Sequence, residues 1–184
     1  MRMAAPSTTI AAMPAGPRLR RSPGLASTLA TALAILLASA MMLGSAMASP
    51  LAGQRPDDLG VREGRLKPPS ATENSVSSQA ALYEGPGARY ALIAPFAVPG
   101  DGAAAMASLA RIVAAWPGAR IVTSRPDYLH AEFSSRWLGF VDDTEFWYSA
   151  AEGVIHVRSA SRLGRRDFGV NRERVEAIRA AYGH

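Results

Sequence analysis

Cysteine is absent from the 184 residues. Its absence excludes disulfides, thiolate catalysis, cysteine-based zinc sites and iron–sulfur clusters. An exported form of such a chain must be held together by its core alone. No Gly-x-Ser-x-Gly elbow, nucleotide-binding glycine loop or His-Glu-x-x-His motif is present, so no motif signals an enzyme class. Net charge is nearly missing too, once the N-terminus is set aside. Of 20 lysines and arginines, Arg2, Arg18, Arg20 and Arg21 fall in the first 21 residues, while all 15 acids come later. From Ser49 onward 16 basic residues face 15 acidic ones, a net +1. A basic pI points to nucleic acid or anionic lipid as partner. Here the excess vanishes, and no nucleic-acid partner is expected.

Charge disappears altogether from Ser22 to Gln54. Arg18, Arg20 and Arg21 stand before an apolar run, Leu25 to Leu43, which closes on Ala46-Met47-Ala48 before Ser49-Pro50. Basic flank, apolar segment and Ala-x-Ala form the layout of a secretory signal peptide cut after Ala48. The run is also long enough to span a bilayer, so an uncleaved anchor is the alternative. The expected address is the periplasm, free or anchored to the inner membrane and facing it. A membrane partner is expected only through residues 22–48, if uncleaved. Arg20-Arg21 fits a twin-arginine export signal poorly, because Ser22-Pro23-Gly24-Leu25 follows. Residues 49–75 are punctuated by Gly53, Pro56, Gly60, Gly64, Pro68 and Pro69 without apolar period. They read as a Pro/Gly-rich linker, either a tether or an extended arm over the domain.

Residues 76–184 read as one α+β domain. Pro86, Gly87, Pro95, Pro99 and Gly100 break the stretch after the linker, leaving only Tyr90 to Phe96 to extend, at an edge. Asp101 is placed to cap a helix from Gly102 to Trp116, with Met106, Leu109, Ile112 or Val113, and Trp116 on one face. Strands follow at Arg120–Ser124, Tyr128–Phe133, Phe140–Tyr148 and Val154–Arg162. Their short connections predict a four-stranded antiparallel meander. A last helix is predicted from Asn171, its cap, to Tyr182, with Arg172 and Glu176 paired along it. Both helices are expected to pack on one face of the sheet.

Strand residues alternate between faces. Leu129, Ala131, Phe133, Phe140, Thr144, Phe146, Tyr148, Ile155 and Val157 form the apolar set. The opposite set contains Tyr128, His130, Glu132, Asp143, Glu145, His156 and Arg158. A simple hairpin register sets Asp143 against Arg158 and Glu145 against His156, with His130 near Asp143 and Tyr128 near Glu145. The open face is then either a solvated surface of cross-strand ion pairs or a ligand site. His130, Asp143, Glu145 and His156 are residue types that suit zinc or non-haem iron. No His-x-x-x-His spacing supports a metal, and neither metal nor cofactor is expected. Asp142 falls on the apolar side, opposite Ser159, and needs a cation there. Arg162, Arg165, Arg166, Arg172 and Arg174 are the nearest suppliers. The expectation is a structural hub of Asp142, Ser159, Arg162, Asp167, Asn171, Arg172 and Arg174 that ties the hairpin to the loop at 163–171. Ser159 and His156 have opposite parity, which argues against a nucleophile–base pair.

Asp142-Asp143-Thr144-Glu145-Phe146, Val157-Arg158-Ser159-Ala160-Ser161-Arg162-Leu163-Gly164 and Asp167-Phe168-Gly169-Val170-Asn171-Arg172-Glu173-Arg174-Val175 together resemble domain-of-unknown-function family 1499. Val76-Ser77-Ser78-Gln79 and Tyr128-Leu129-His130-Ala131-Glu132 fit as well, and the resemblance spans about Leu66 to Tyr182. It implies a bacterial or plastid protein, often with an export signal or membrane segment, and the family brings no established activity to carry over. Members commonly carry a cysteine where this chain has Ser75. The expectation is a non-catalytic module that binds an envelope ligand or protein. A hydrolase using the polar sheet face and an architectural envelope protein are the alternatives.

Overall fold

The computed structural model describes residues 50–183, and the signal peptide or anchor expected over 1–48 lies outside them. The described chain is α+β. In order come β1 (Ser75–Ser77), a 3-10 turn (Ala80–Leu82), α1 (Pro86–Ala91), β2 (Phe96–Ala97) and α2 (Gly102–Ala114). Then follow β3 (Ala119–Ser124), β4 (Tyr128–Ser134), β5 (Val141–Ser149), β6 (Val154–Ser161) and α3 (Val170–Tyr182). The antiparallel sheet has six strands, not four. Its order is β1-β6-β5-β4-β3, with β2 also paired to β6. Strands β3 to β6 are the expected meander. The additions are three and two residues long, too short to show a period. Only pairing with β6, at Arg158–Ala160 and at Val154–Ile155, makes them strands.

Helix α1 replaces part of the segment expected to extend. Pro86 takes its first turn, where the missing N–H costs nothing. Helix α2 begins as expected, the Asp101 carboxylate accepting the Ala103 N–H at 3.0 Å. It ends at Ala114, two residues before the expected Trp116.

Leu129, Ala131, Phe133, Phe146, Ile155 and Val157 share one sheet face. They join Met106, Leu109 and Val113 of α2 and Val175 and Ile178 of α3 in one buried cluster. Burying each large side chain of this set stabilises the fold by about 1.5–3 kcal/mol. Two members of the expected apolar set differ. Phe140 precedes β5 and stays outside the cluster, and Thr144 hydrogen-bonds Ser159 at 2.7 Å.

The start of α3 departs from expectation. Its N-cap is Gly169, at φ 87°, and Asn171 is buried inside the helix. Phe168 also has positive φ, 55°. This turn lets the Asp167 carboxylate do the capping, accepting the N–H groups of Gly169 (3.1 Å) and Asn171 (3.0 Å). The Arg172–Glu176 pair does not form. Arg172 donates instead to the carbonyls of Tyr90 and Leu92, and Glu176 accepts from Arg179 at 2.9 Å. The carbonyls at the C-terminal end of α1 are invisible in a helix-period argument. Among the described residues no helix is long and apolar enough to cross a membrane.

Candidate functional site

The polar sheet face is not open to solvent. His130, Glu132, Asp143, Glu145, His156 and Arg158 are all buried. Part of the cover comes from residues 54–70, the stretch expected as a linker, which forms an arm across the sheet. The arm docks through polar bonds rather than apolar area. Arg55 Nε donates to Glu132 at 2.6 Å, and the Gly60 N–H donates to Glu145 at 2.7 Å. The Pro68 carbonyl accepts from Arg158 Nε at 3.1 Å. Gln79 clamps the far end, accepting the Leu66 N–H and donating to the Gly64 carbonyl. Lys67 and Asp58 close a clip within the arm at 2.6 Å. Leu66 is the arm's buried large apolar residue, which is why no hydrophobic period marked it. Gly60 sits at φ +111°, a backbone state that glycine adopts without strain.

Under the arm, opposite charges meet at short range. Glu132 accepts from Arg55, Arg120 and Arg162. Asp143 accepts from Arg162 at 2.7 and 2.8 Å and shares a 2.9 Å hydrogen bond with His130. Burial pushes both carboxyl pKa values up, but these donors prevail and hold both below the ordinary range. Hydrogen bonds donated to Asp143 outweigh burial at Arg162 and hold its guanidinium firmly protonated. Tyr128 donates its hydroxyl to Glu145 at 2.8 Å. Burial, then the Glu145 charge, pushes that phenol far above its usual range.

One pair in this layer is incompletely joined. Glu145 is fully buried, and its Oε2 has no hydrogen-bond partner among the described residues. Arg158 Nη1 stands 3.8 Å from that oxygen, beyond hydrogen-bonding range. Arg158 itself is only 4% exposed. Its Nε reaches Pro68, but neither Nη group hydrogen-bonds any described residue. Burial lowers its pKa for want of compensating contacts, the Glu145 charge opposing. This guanidinium lines a chamber of about 430 Å³ between arm and sheet. Gln54, Asp58, Lys67, Ser70, Asp143 and Arg162 line it as well.

The register differs from the expected one by two residues. Glu145 faces Arg158, Asp143 faces Ala160, and His156 faces Trp147. The expected neighbours His130–Asp143 and Tyr128–Glu145 do meet, as diagonal contacts. His156 is drawn away from the group. It stacks on Trp147 at 5.4 Å and bonds Ser78 through Nδ1 and Glu152 through Nε2, both at 3.1 Å. The two imidazoles therefore do not converge. Among the described residues no group of three or more His, Cys, Asp or Glu is arranged to hold a metal ion. The Ser78–His156–Glu152 line escaped the sequence reading because its serine lies beyond the meander. Its Ser78 oxygen already accepts the Val157 N–H at 3.0 Å, which ties up a lone pair that a nucleophile would use.

On the opposite face the expected hub divides. Asp142 is buried and bonds Arg174 at 2.6 Å, and Arg174 lies 4.7 Å over the Phe133 ring. Asp142 faces Ser161 rather than Ser159, and its tie runs to α3 rather than to the 163–171 loop. Ser159 bonds Thr144 and Asn171, and Asn171 also reaches Ser161 and Arg174. Asp167 joins this group through the Asn171 N–H and accepts the Tyr90 hydroxyl at 2.9 Å. Arg162 belongs to the charged layer under the arm, and Arg172 to the carbonyls after α1. Ser75 is fully buried, and its hydroxyl accepts the Ser70 N–H at 2.8 Å.

No curated protein matches the chain. A family model described as "Protein of unknown function (DUF1499)" matches residues 65–182, the sheet, the helices and the inner end of the arm. The chain belongs to that family.

Proposed function

We propose that the protein is an exported, non-catalytic module of the cell envelope that binds a small anionic ligand in the chamber between the arm and the charged sheet face. Arg158 carries the reading. It is a buried guanidinium lining the chamber, its Nη groups hydrogen-bonded to no described residue. A planar fork of N–H donors suits a carboxylate or phosphate. Gln54, Ser70 and Lys67, the last paired with Asp58, line the same wall. The volume, about 430 Å³, falls at the small end of ligand sites. The Arg-flanked apolar run ending in Ala46-Met47-Ala48 supports export.

The test is a thermal-shift series with inorganic phosphate, succinate and a neutral sugar. An anion at a hundred times its Kd stabilises the fold by about 2.7 kcal/mol. That protection is expected to vanish in Arg158→Gln and to survive in part in Arg158→Lys. Anions that protect no better than the sugar would refute the proposal.

A further inference from the structure

The charges that line the chamber decide which anions it takes, a point that rests on Arg158 anchoring an anion there. Lys67, Arg158 and Arg162 line it as cations, and Asp58 and Asp143 as carboxylates. Both acids are ionised at neutral pH. The hydrogen bond from Lys67 holds the Asp58 carboxyl below its ordinary range. At Asp143 burial pushes the other way, but Arg162 and His130 prevail.

Two of the three cations are occupied. Arg162 donates to Asp143 at 2.7 and 2.8 Å and also reaches Glu132. Lys67 Nζ donates to Asp58 at 2.6 Å. Arg158 alone keeps both Nη groups without a hydrogen bond to any described residue. Even its charge is partly offset, because the buried Glu145 carboxylate lies 3.8 Å from Nη1. The other nearby charges add nothing to the lining. Arg55 and Arg120 hold Glu132, and Asp57 and Arg62 are exposed and outside the chamber, although Arg62 acts on Asp58. The chamber therefore has room for one negative charge. A second charge on the same ligand would leave water with no free cation to receive it, and it would face Asp58 and Asp143.

We propose that the chamber selects carboxylates that carry a single negative charge, and that Asp58 sets this choice by occupying Lys67. The carboxylate lies on the Arg158 fork. An uncharged remainder lies along Pro56, Pro68, Pro69 and Ala160, the apolar part of the lining. Dicarboxylates carry one charge too many. So do phosphate monoesters, at about −1.5 to −2 near pH 7. The clip itself is a surface pair, its side chains 30% exposed at Lys67 and 42% at Asp58, so either can be replaced without opening the core.

Succinate, its monomethyl ester and its dimethyl ester share one carbon skeleton and carry two, one and no charges. Each is titrated into the full chain near neutral pH and followed by calorimetry. The monomethyl ester is expected to bind about tenfold more tightly than succinate, and the dimethyl ester not at all. Asp58→Asn frees Lys67 for the second carboxylate and is expected to erase that gap. Lys67→Gln leaves Asp58 uncompensated and is expected to widen it. Succinate binding as tightly as its monoester in the wild type would overturn the proposal while leaving an anion site at Arg158 intact. So would a wild-type preference in both variants. Equal binding of the two esters would remove charge recognition, and binding of none of the three would remove the anion site along with its selectivity.

Discussion

Replacing Arg162 by methionine removes the cation that joins the two inner carboxylates of the charged layer. Arg162 bonds Asp143 at 2.7 and 2.8 Å and also reaches Glu132. The three side chains are between 2% and 7% exposed. Asp143 then keeps only His130 as a partner, so the substitution is expected to cost about 3–5 kcal/mol at neutral pH, the usual effect of stranding a buried partner. The pH dependence sharpens the test. In the wild type both carboxyls are held below their ordinary values of 3.8 and 4.5. Groups lowered in this way contribute stability that is present above those values and lost as pH falls through the folded ones. In Arg162→Met the stranded Asp143 carboxylate takes up a proton more readily, and protonation relieves the variant's penalty. The gap between the proteins should therefore be widest near neutrality and should narrow at about pH 4 and below. Urea denaturation followed by tryptophan emission measures it at each pH. A double-mutant cycle with Asp143→Asn should return a coupling on the order of 1–3 kcal/mol. A neutral-pH loss under about 1 kcal/mol, or a gap that ignores pH, would refute the argument that the layer is held by buried charge pairing.

Asp142→Ala strands Arg174 above the Phe133 ring, and denaturation should show a loss of about 3–5 kcal/mol, against under 1 for a solvated pair. Gly60→Ala forces a side chain into a backbone state at φ +111° while leaving open space around it. A cost of about 1–3 kcal/mol is expected, felt chiefly in the arm. Hydrogen exchange should quicken for residues 55–68 while β4 to β6 keep their protection. Uniform acceleration would mean that the arm does not open as a separate unit.

The alternation of β4 to β6 was legible because a period of two admits one assignment of faces. Asp101 and the stripe through Met106 and Leu109 were equally clear, since capping and helical spacing are local, while the choice of Val113 over Ile112 came from packing. His130 met Asp143 and Tyr128 met Glu145 as read, because parity survives a shift of two residues. The exact pairing did not, since Glu145 faces Arg158 through the geometry of the β5–β6 turn. Asn171 looked like a cap from its position alone, but Phe168 and Gly169 bend the chain so that Asp167 takes that place.

From the sequence alone came the α+β class, the two-sided sheet and the kinship of residues 66–182, all carried by short-range pattern. Tertiary structure alone decided that residues 54–70 cover the charged face and that β1 and β2 become strands against β6. It also chose Arg174 as the partner of Asp142. These are pairings between segments far apart in the chain, made by backbone groups and single side chains that leave no period behind. Distance in sequence hides them, and only the folded chain brings donor and acceptor within reach.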